Sequence, residues 1–247
     1  MIDTHCHFDM MPNPHNYILD KESKGGIVIG MTNLPSHFSQ GINHVKKYKR
    51  IRLALGFHPL LAEESQSELK LFNQFIDSTS YIGEIGLDFS KAGINSKEIQ
   101  LSSLRKIFSW LRDRNKVISV HSRGAEEELL SLLKEYNIRN VIFHWYSGKV
   151  SLIQEIINYG YYFSINESMT ATEKGRNIIA TIPKERVLTE TDAPYNKKDD
   201  IKNVELYLSK IYNCTTNEIK SQIKENFNRA IKPICFNHNN DSSTIFI

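Results

Sequence analysis

Short apolar runs rich in Ile, Val, Leu and aromatic residues recur along the chain, at residues 2–7, 26–32, 51–56, 81–86, 117–121, 140–144, 161–165 and 187–192. Each has the length of a buried parallel strand, whose two covered faces remove the polar alternation of a half-exposed sheet. The starts lie roughly 20 to 36 residues apart, room for one helix and its two loops in each gap. Several gaps carry helical spacing: Leu101, Leu104, Phe108 and Leu111 repeat at three or four, as do Val204, Tyr207 and Ile211, and again Ile219, Ile223, Phe227 and Ile231. Ser96 and Thr216 stand where two of these helices should begin, and Pro233 where the last should end. Eight strands alternating with helices predict an α/β fold, a (β/α)8 TIM barrel. An open doubly wound sheet uses the same local signals, but with fewer strands and often a Gly-rich phosphate loop. Neither G-x-G-x-x-G nor G-x-x-x-x-G-K-[ST] occurs.

At 247 residues the chain matches a single barrel. No linker or low-complexity stretch interrupts residues 1–232. Residues 1–235 therefore read as one barrel domain, and residues 236–247 as a polar, turn-like C-terminal tail. Hydrophobic residues at 40% and charged residues at 24% describe a chain that can bury a large core. No apolar run reaches about 18 residues, and the opening Met1-Ile2-Asp3-Thr4-His5 has neither the basic nor the apolar region of a leader. Three cysteines without C-x-x-C spacing argue against a disulfide framework or zinc knuckle, so a cytoplasmic, membrane-free protein is expected. A net charge of +3 neither requires nor forbids a nucleic-acid partner. The basic run Lys46, Lys47, Lys49 and Arg50 precedes the third strand, at the barrel end opposite the strand C-termini, and reads as a solvated helix end.

The polar residues within the apolar runs fall almost entirely at strand C-terminal ends, which form the active face of such a barrel. His5 and His7 are two apart, so an extended strand aims both imidazoles to one side. Glu84 sits among apolar strand residues, where an ionised carboxylate is costly unless a cation or hydrogen bonds satisfy it. His121, His144 and Asp192 each close a strand. Singly, each histidine reads better as a packed core residue. Together, four imidazoles and two carboxylates at one barrel mouth form a metal-ligand set sufficient for two divalent ions sharing a carboxylate, with Mg, Mn, Zn or Fe all compatible. Such a pair suits hydrolysis by activated water.

Six ordered motifs span nearly the whole chain: Asp3-Thr4-His5-Cys6-His7, Leu55-Gly56-Phe57-His58-Pro59, Gly83-Glu84-Ile85-Gly86-Leu87-Asp88, His121-Ser122-Arg123, His144-Trp145-Tyr146-Ser147-Gly148 and Glu190-Thr191-Asp192-Ala193-Pro194-Tyr195. In these the chain resembles the TatD family of metal-dependent deoxyribonucleases, barrels of the amidohydrolase-like superfamily. Pro12-Asn13-Pro14-His15, Ala54 to Pro59 running into Leu61-Ala62, and His144-Trp145 in place of the usual His-Cys are more similar to the QatD branch, nucleases of Qat anti-phage defence systems.

The resemblance implies hydrolysis of DNA phosphodiesters, usually as an exonuclease, in an antiviral setting with other Qat proteins as partners. It implies that His5, His7 and Asp192 hold one ion and His121 and His144 the other, with Glu84 bridging. Asp192 and Glu84 are then the catalytic carboxylates, Asp192 relaying the proton of the attacking water. His58 reads equally as a phosphate contact or a packed supporting histidine, and Arg123 as a phosphate clamp or a surface ion pair. Trp145, Tyr146 and Tyr195 are candidates to stack on unpaired bases or to pack at the rim. The chain departs from the family with Phe89-Ser90-Lys91 and with Gly124 after Arg123, which alters loops over the mouth without removing a metal ligand. A non-nucleic-acid hydrolase, or a scaffold subunit of a defence complex, are the competing readings.

Overall fold

The computed structural model describes residues 1–196 and 200–235; the expected tail from residue 236 lies outside the described residues. Among the described residues, nine strand segments form the barrel wall: β1 (Ile2–Cys6), β2 (Ile27–Gly30), β3 (Ile51–Leu53), β4 (Leu55–Phe57), β5 (Tyr81–Gly86), β6 (Val117–His121), β7 (Val141–His144), β8 (Tyr162–Ile165) and β9 (Val187–Thr189). All pairings are parallel, running β1-β2-β3 in one sheet and β4 through β9 in the other. β3 and β4 are halves of the third predicted strand, so the eight-strand barrel stands.

The third strand divides at Ala54 because Thr32 enters the ladder there. The Thr32 hydroxyl donates to the Ala54 carbonyl (2.9 Å) and accepts from Gly56 N–H (3.1 Å). The Thr32 carbonyl accepts from Glu84 N–H (3.2 Å) on β5. Closure between the first and last strands comes from Asp192 N–H donating to the His5 carbonyl (2.9 Å) and His7 N–H to that of Ala193 (2.8 Å). Residues at the two ends of the motif series therefore meet at one seam.

Helices cover the wall: α1 (Pro14–Ser23), α2 (Pro35–Val45), α3 (Leu69–Phe75), α4 (Lys97–Leu111), α5 (Glu126–Glu135), α6 (Val150–Asn158), α7 (Glu167–Ala171), α8 (Glu173–Thr181), α9 (Ile201–Ile211) and α10 (Thr216–Cys235). Two predicted apolar stripes face inward; on α9 Val204 is buried with Ile201 and Leu208, but Tyr207 is only partly covered and Ile211 is exposed, so that stripe is shifted. On α4, Leu104, Ile107, Phe108 and Leu111 are buried, and on α10 so are Ile219, Ile223, Phe227 and Ile231. With Val141, Phe143, Phe163 and Leu188 from the strands they join one continuous apolar core.

The two helix starts fall where the sequence places them, but their caps differ, and so does the end of the last helix. Ser96 precedes α4, but its hydroxyl donates to the Gly93 carbonyl (3.0 Å) instead of capping the helix. The start of α10 is capped by Thr215, not Thr216: its hydroxyl accepts from Glu218 N–H (3.2 Å) while the Glu218 carboxylate accepts from Thr215 N–H (2.7 Å). Pro233 lies inside α10, in its final turn, where the lost N–H removes a single hydrogen bond and the helix runs on to Cys235. Among the described residues, no helix is long and apolar enough to cross a membrane.

Candidate metal centre

Glu84 is the centre of the polar cluster. β5 carries it inward from the barrel wall, and it is 3% exposed. Its Oε1 lies 2.7 Å from His121 Nδ1 and 2.8 Å from His144 Nε2. Its Oε2 lies 3.3 Å from His7 Nε2 and 3.4 Å from His58 Nε2. His5 Nε2 also lies 3.8 Å from Oε2, so one carboxylate presents its two oxygens to different sets of imidazoles.

The strand alternation at His5 and His7 brings their Nε2 atoms to 3.2 Å. His5 Nδ1 contacts the Ser119 hydroxyl of β6 (2.8 Å), which turns Nε2 toward the centre. Asp192 follows β9 in the left-handed region, at φ 55°. That turn sets its Oδ1 3.6 Å from His5 Nε2 and 3.7 Å from His7 Nε2. His144 stacks on His5 with ring centroids 3.8 Å apart.

All six predicted ligands therefore converge, and His58 joins them. Its Nδ1 accepts from Leu60 N–H (3.2 Å) across the His-Pro turn, leaving Nε2 aimed at Glu84. Three sets of ligand atoms lie within 4.8 Å of one another: His5 with His144 and Asp192, His5 with His7 and Glu84, and His58 with Glu84 and His121. Nitrogen lone pairs and carboxylate oxygens at this density repel one another unless protons or cations lie between them. The donor chemistry fits divalent metal.

The electrostatics follow from burial and crowding. Burial alone would raise Glu84, but the imidazoles of His58, His144 and His121 outweigh it and hold the carboxyl well below its usual range. Burial and the neighbouring His144 push His5 well below an ordinary histidine, and burial lowers His58 to about 4. His144 goes the other way: burial would lower it, and Glu84 and Glu190 overcome that and raise it well above the ordinary value. Burial raises Asp192 to about 7.

The cluster opens into a cavity of about 630 Å3 whose lining includes Asn33, Leu60, Arg123, Trp145 and Tyr195. Arg123 is exposed on that lining and, among the described residues, pairs with no carboxylate. Tyr195 is 55% exposed, and its hydroxyl accepts from the Asn33 amide (2.8 Å). Tyr146 does not reach the mouth. It is 1% exposed, packs against Phe143 and Phe163, and donates to the Lys149 carbonyl (2.8 Å). The remaining described histidines, His15, His37 and His44, line a separate cavity of about 540 Å3 between α1 and α2.

Four residues of the site carried no role in the sequence reading. Asp88 accepts from His121 Nε2 (2.8 Å) and Ser90 N–H (2.9 Å); burial would raise its carboxyl, and these bonds lower it to about 2. Ser119 supports His5. Asp3, fully buried, accepts from Thr191 through N–H (3.0 Å) and hydroxyl (2.7 Å) and ties the first motif to the last. Glu190, also fully buried, accepts from the Asn166 amide (2.9 Å), Trp145 N–H (3.1 Å) and the Ser164 hydroxyl. Asp3, Asp88 and Glu190 were visible as carboxylates inside apolar motifs; Ser119 had no such signal.

Comparison with known proteins agrees with this geometry. The chain is 27% identical over 239 residues to the metal-dependent hydrolase MJ1582 of Methanocaldococcus jannaschii, covering 91% of this chain and 94% of that protein. It is 28% identical over 213 residues to the deoxyribonuclease TATDN3 of Homo sapiens, covering 78% of each. The crystal structure of the TatD homologue YjjV from Escherichia coli superposes with a TM-score of 0.82 at 24% identity, over 94% of this chain and 97% of that one. A TatD-family hydrolase from Entamoeba histolytica superposes with a TM-score of 0.77 at 19% identity, over 94% and 98%. These two likenesses bear on the fold. The model of the TatD-related DNase family matches residues 2–232, and the chain belongs to that family of metal-dependent hydrolases.

Proposed function

We propose that this chain hydrolyses DNA phosphodiesters with two divalent ions at the barrel mouth. The observation that carries the reading is the division of the Glu84 carboxylate, with His121 and His144 on one oxygen and His7 and His58 on the other. Such a division would suit a ligand shared by two ions. His5, His7 and Asp192 would hold one ion and His121 and His144 the second, with His58, whose ligand atom groups with those of Glu84 and His121, beside the second. Bound there, such a pair would lower the pKa of a shared water and neutralise charge on the attacking and leaving oxygens.

The chain's own residues do the rest. Asp192, at the cavity floor beside His5 and His7, receives the proton of the attacking water. Arg123 offers an unpaired guanidinium fork to a phosphate on the strand. Trp145 and Tyr195 present aromatic faces on which unpaired bases stack, which suits a strand end threaded into the mouth and hence exonuclease action. The TATDN3 relative, named a deoxyribonuclease, supports the substrate. The QatD-like motifs support a place in anti-phage defence beside other Qat proteins, and three free cysteines suit a reducing cytoplasm.

Cleavage of end-labelled single- and double-stranded DNA with Mg2+, Mn2+ or Zn2+ tests this, with EDTA and Glu84→Ala as controls. Metal-dependent product ladders that vanish in the variant are expected. No cleavage by metal-loaded protein under any ion would overturn the DNA substrate and favour a different hydrolysed bond.

A further inference from the structure

Glu190 is a fully buried carboxylate that lies outside the ligand set. A carboxylate without water is costly unless hydrogen bonds satisfy it. Here the Ser164 hydroxyl on β8 donates to Oε2, while the Asn166 amide (2.9 Å) and Trp145 N–H (3.1 Å) donate to Oε1. These donors come from two neighbouring strand ends, so the carboxylate is anchored from two sides.

What it faces is His144. Glu190 Oε1 lies 3.5 Å from His144 Nδ1, a buried nitrogen that no other group satisfies. The opposite ring nitrogen, Nε2, is the one 2.8 Å from Glu84. The imidazole therefore stands between two carboxylates, one at the centre and one behind. A proton on Nδ1, directed at Glu190, leaves the Nε2 lone pair for a cation. The same carboxylate holds the backbone of Trp145, which is left-handed at φ 38° and directly follows His144. Ring and rim thus share one anchor.

We infer that Glu190 is a positioning residue whose negative charge, directed at His144 Nδ1, holds the imidazole in the tautomer and orientation that turn Nε2 toward the ion on the His121 side. This rests on the two-ion reading above, whose failure the experiment reads separately. The probe is Mn2+, titrated calorimetrically into metal-stripped full-length protein, with Co2+ absorption as a second readout of ligand geometry. The wild-type protein should show two binding steps, one abolished by His7→Ala and the other by His144→Ala. Glu190→Gln keeps the shape and the bonds from Trp145 and Asn166 but removes the charge. It should weaken the His144-dependent step by about 10- to 100-fold, shift its Co2+ spectrum, and leave the other step and the melting temperature unchanged. Ser164→Ala, which loosens the anchor alone, should weaken the same step by less. Wild-type affinity at both steps in Glu190→Gln overturns the inference. So does equal loss of both steps with a lowered melting temperature, which would make Glu190 a packing carboxylate only. If wild-type protein takes up no metal, the two-ion reading itself falls.

Discussion

The carbonyl oxygen of Thr32 occupies the space that a side chain at Gly56 would need: a Cβ built on Gly56 would lie 1.6 Å from it. That close approach lets the same oxygen accept from Glu84 N–H on β5. The absence of one methyl group thereby sets the backbone of the central carboxylate. Gly56→Ala should destabilise the fold by about 1–3 kcal/mol, since neither backbone can yield freely. It should also reduce metal uptake by displacing Glu84. Denaturant unfolding and metal content of the purified variant check both.

Loss of the Glu84 charge should uncouple metal from stability. A ligand bound only by the folded state adds about 2.7 kcal/mol at one hundred times its dissociation constant. Wild-type protein should therefore melt higher with Mn2+ than after EDTA treatment. In Glu84→Gln that difference should shrink toward zero, and the cleavage rate should fall by more than about 100-fold. Paired thermal melts and initial rates decide it.

Arg123 is expected to act on binding more than on chemistry. Arg123→Ala should raise KM for DNA with a smaller change in kcat, because the exposed guanidinium lines the cavity and lies outside the cluster of converging ligand atoms. Removing one phosphate contact should also flatten the dependence of log affinity on log salt by about one. Affinities measured across a salt series test the second point independently of turnover.

Thr215 provides a control remote from the site. Its reciprocal bonds with Glu218 close the start of α10, so Thr215→Ala should cost about 1 kcal/mol. DNA cleavage at a temperature well below melting should be unaltered.

The barrel and the six polar residues that converge at its mouth were legible because both write themselves into local sequence. Buried strands appear as apolar runs, and His5, His7, Glu84, His121, His144 and Asp192 interrupt those runs where burial makes a polar side chain expensive. The supporting shell was less legible. Ser119 is an ordinary strand serine until barrel closure brings β6 across the interior from β1, and it matters only through the His5 ring it turns. His58 follows an apolar run like the ligands, yet its turn also reads as local packing; only its approach to Glu84 distinguishes the two. Tyr146 shows the reverse error. Its place beside Trp145 suggests the mouth, but successive residues after a strand point to opposite sides, and the tyrosine turns into the apolar core. Capping by Thr215 and the division at Ala54 depend on single hydrogen bonds that apolar periodicity does not encode.

The seam between His5 and Asp192 joins positions nearly the full barrel sequence apart. The cluster therefore depends on contacts of very long sequence separation, and chain-entropy arguments make such contacts slow to form. A nascent chain lacking Asp192 carries five of the six predicted ligands without the residue that closes their ring. The full set of converging side chains thus assembles only with topological closure, and a chain that ends before Asp192 is kept from completing it by the geometry of the barrel itself.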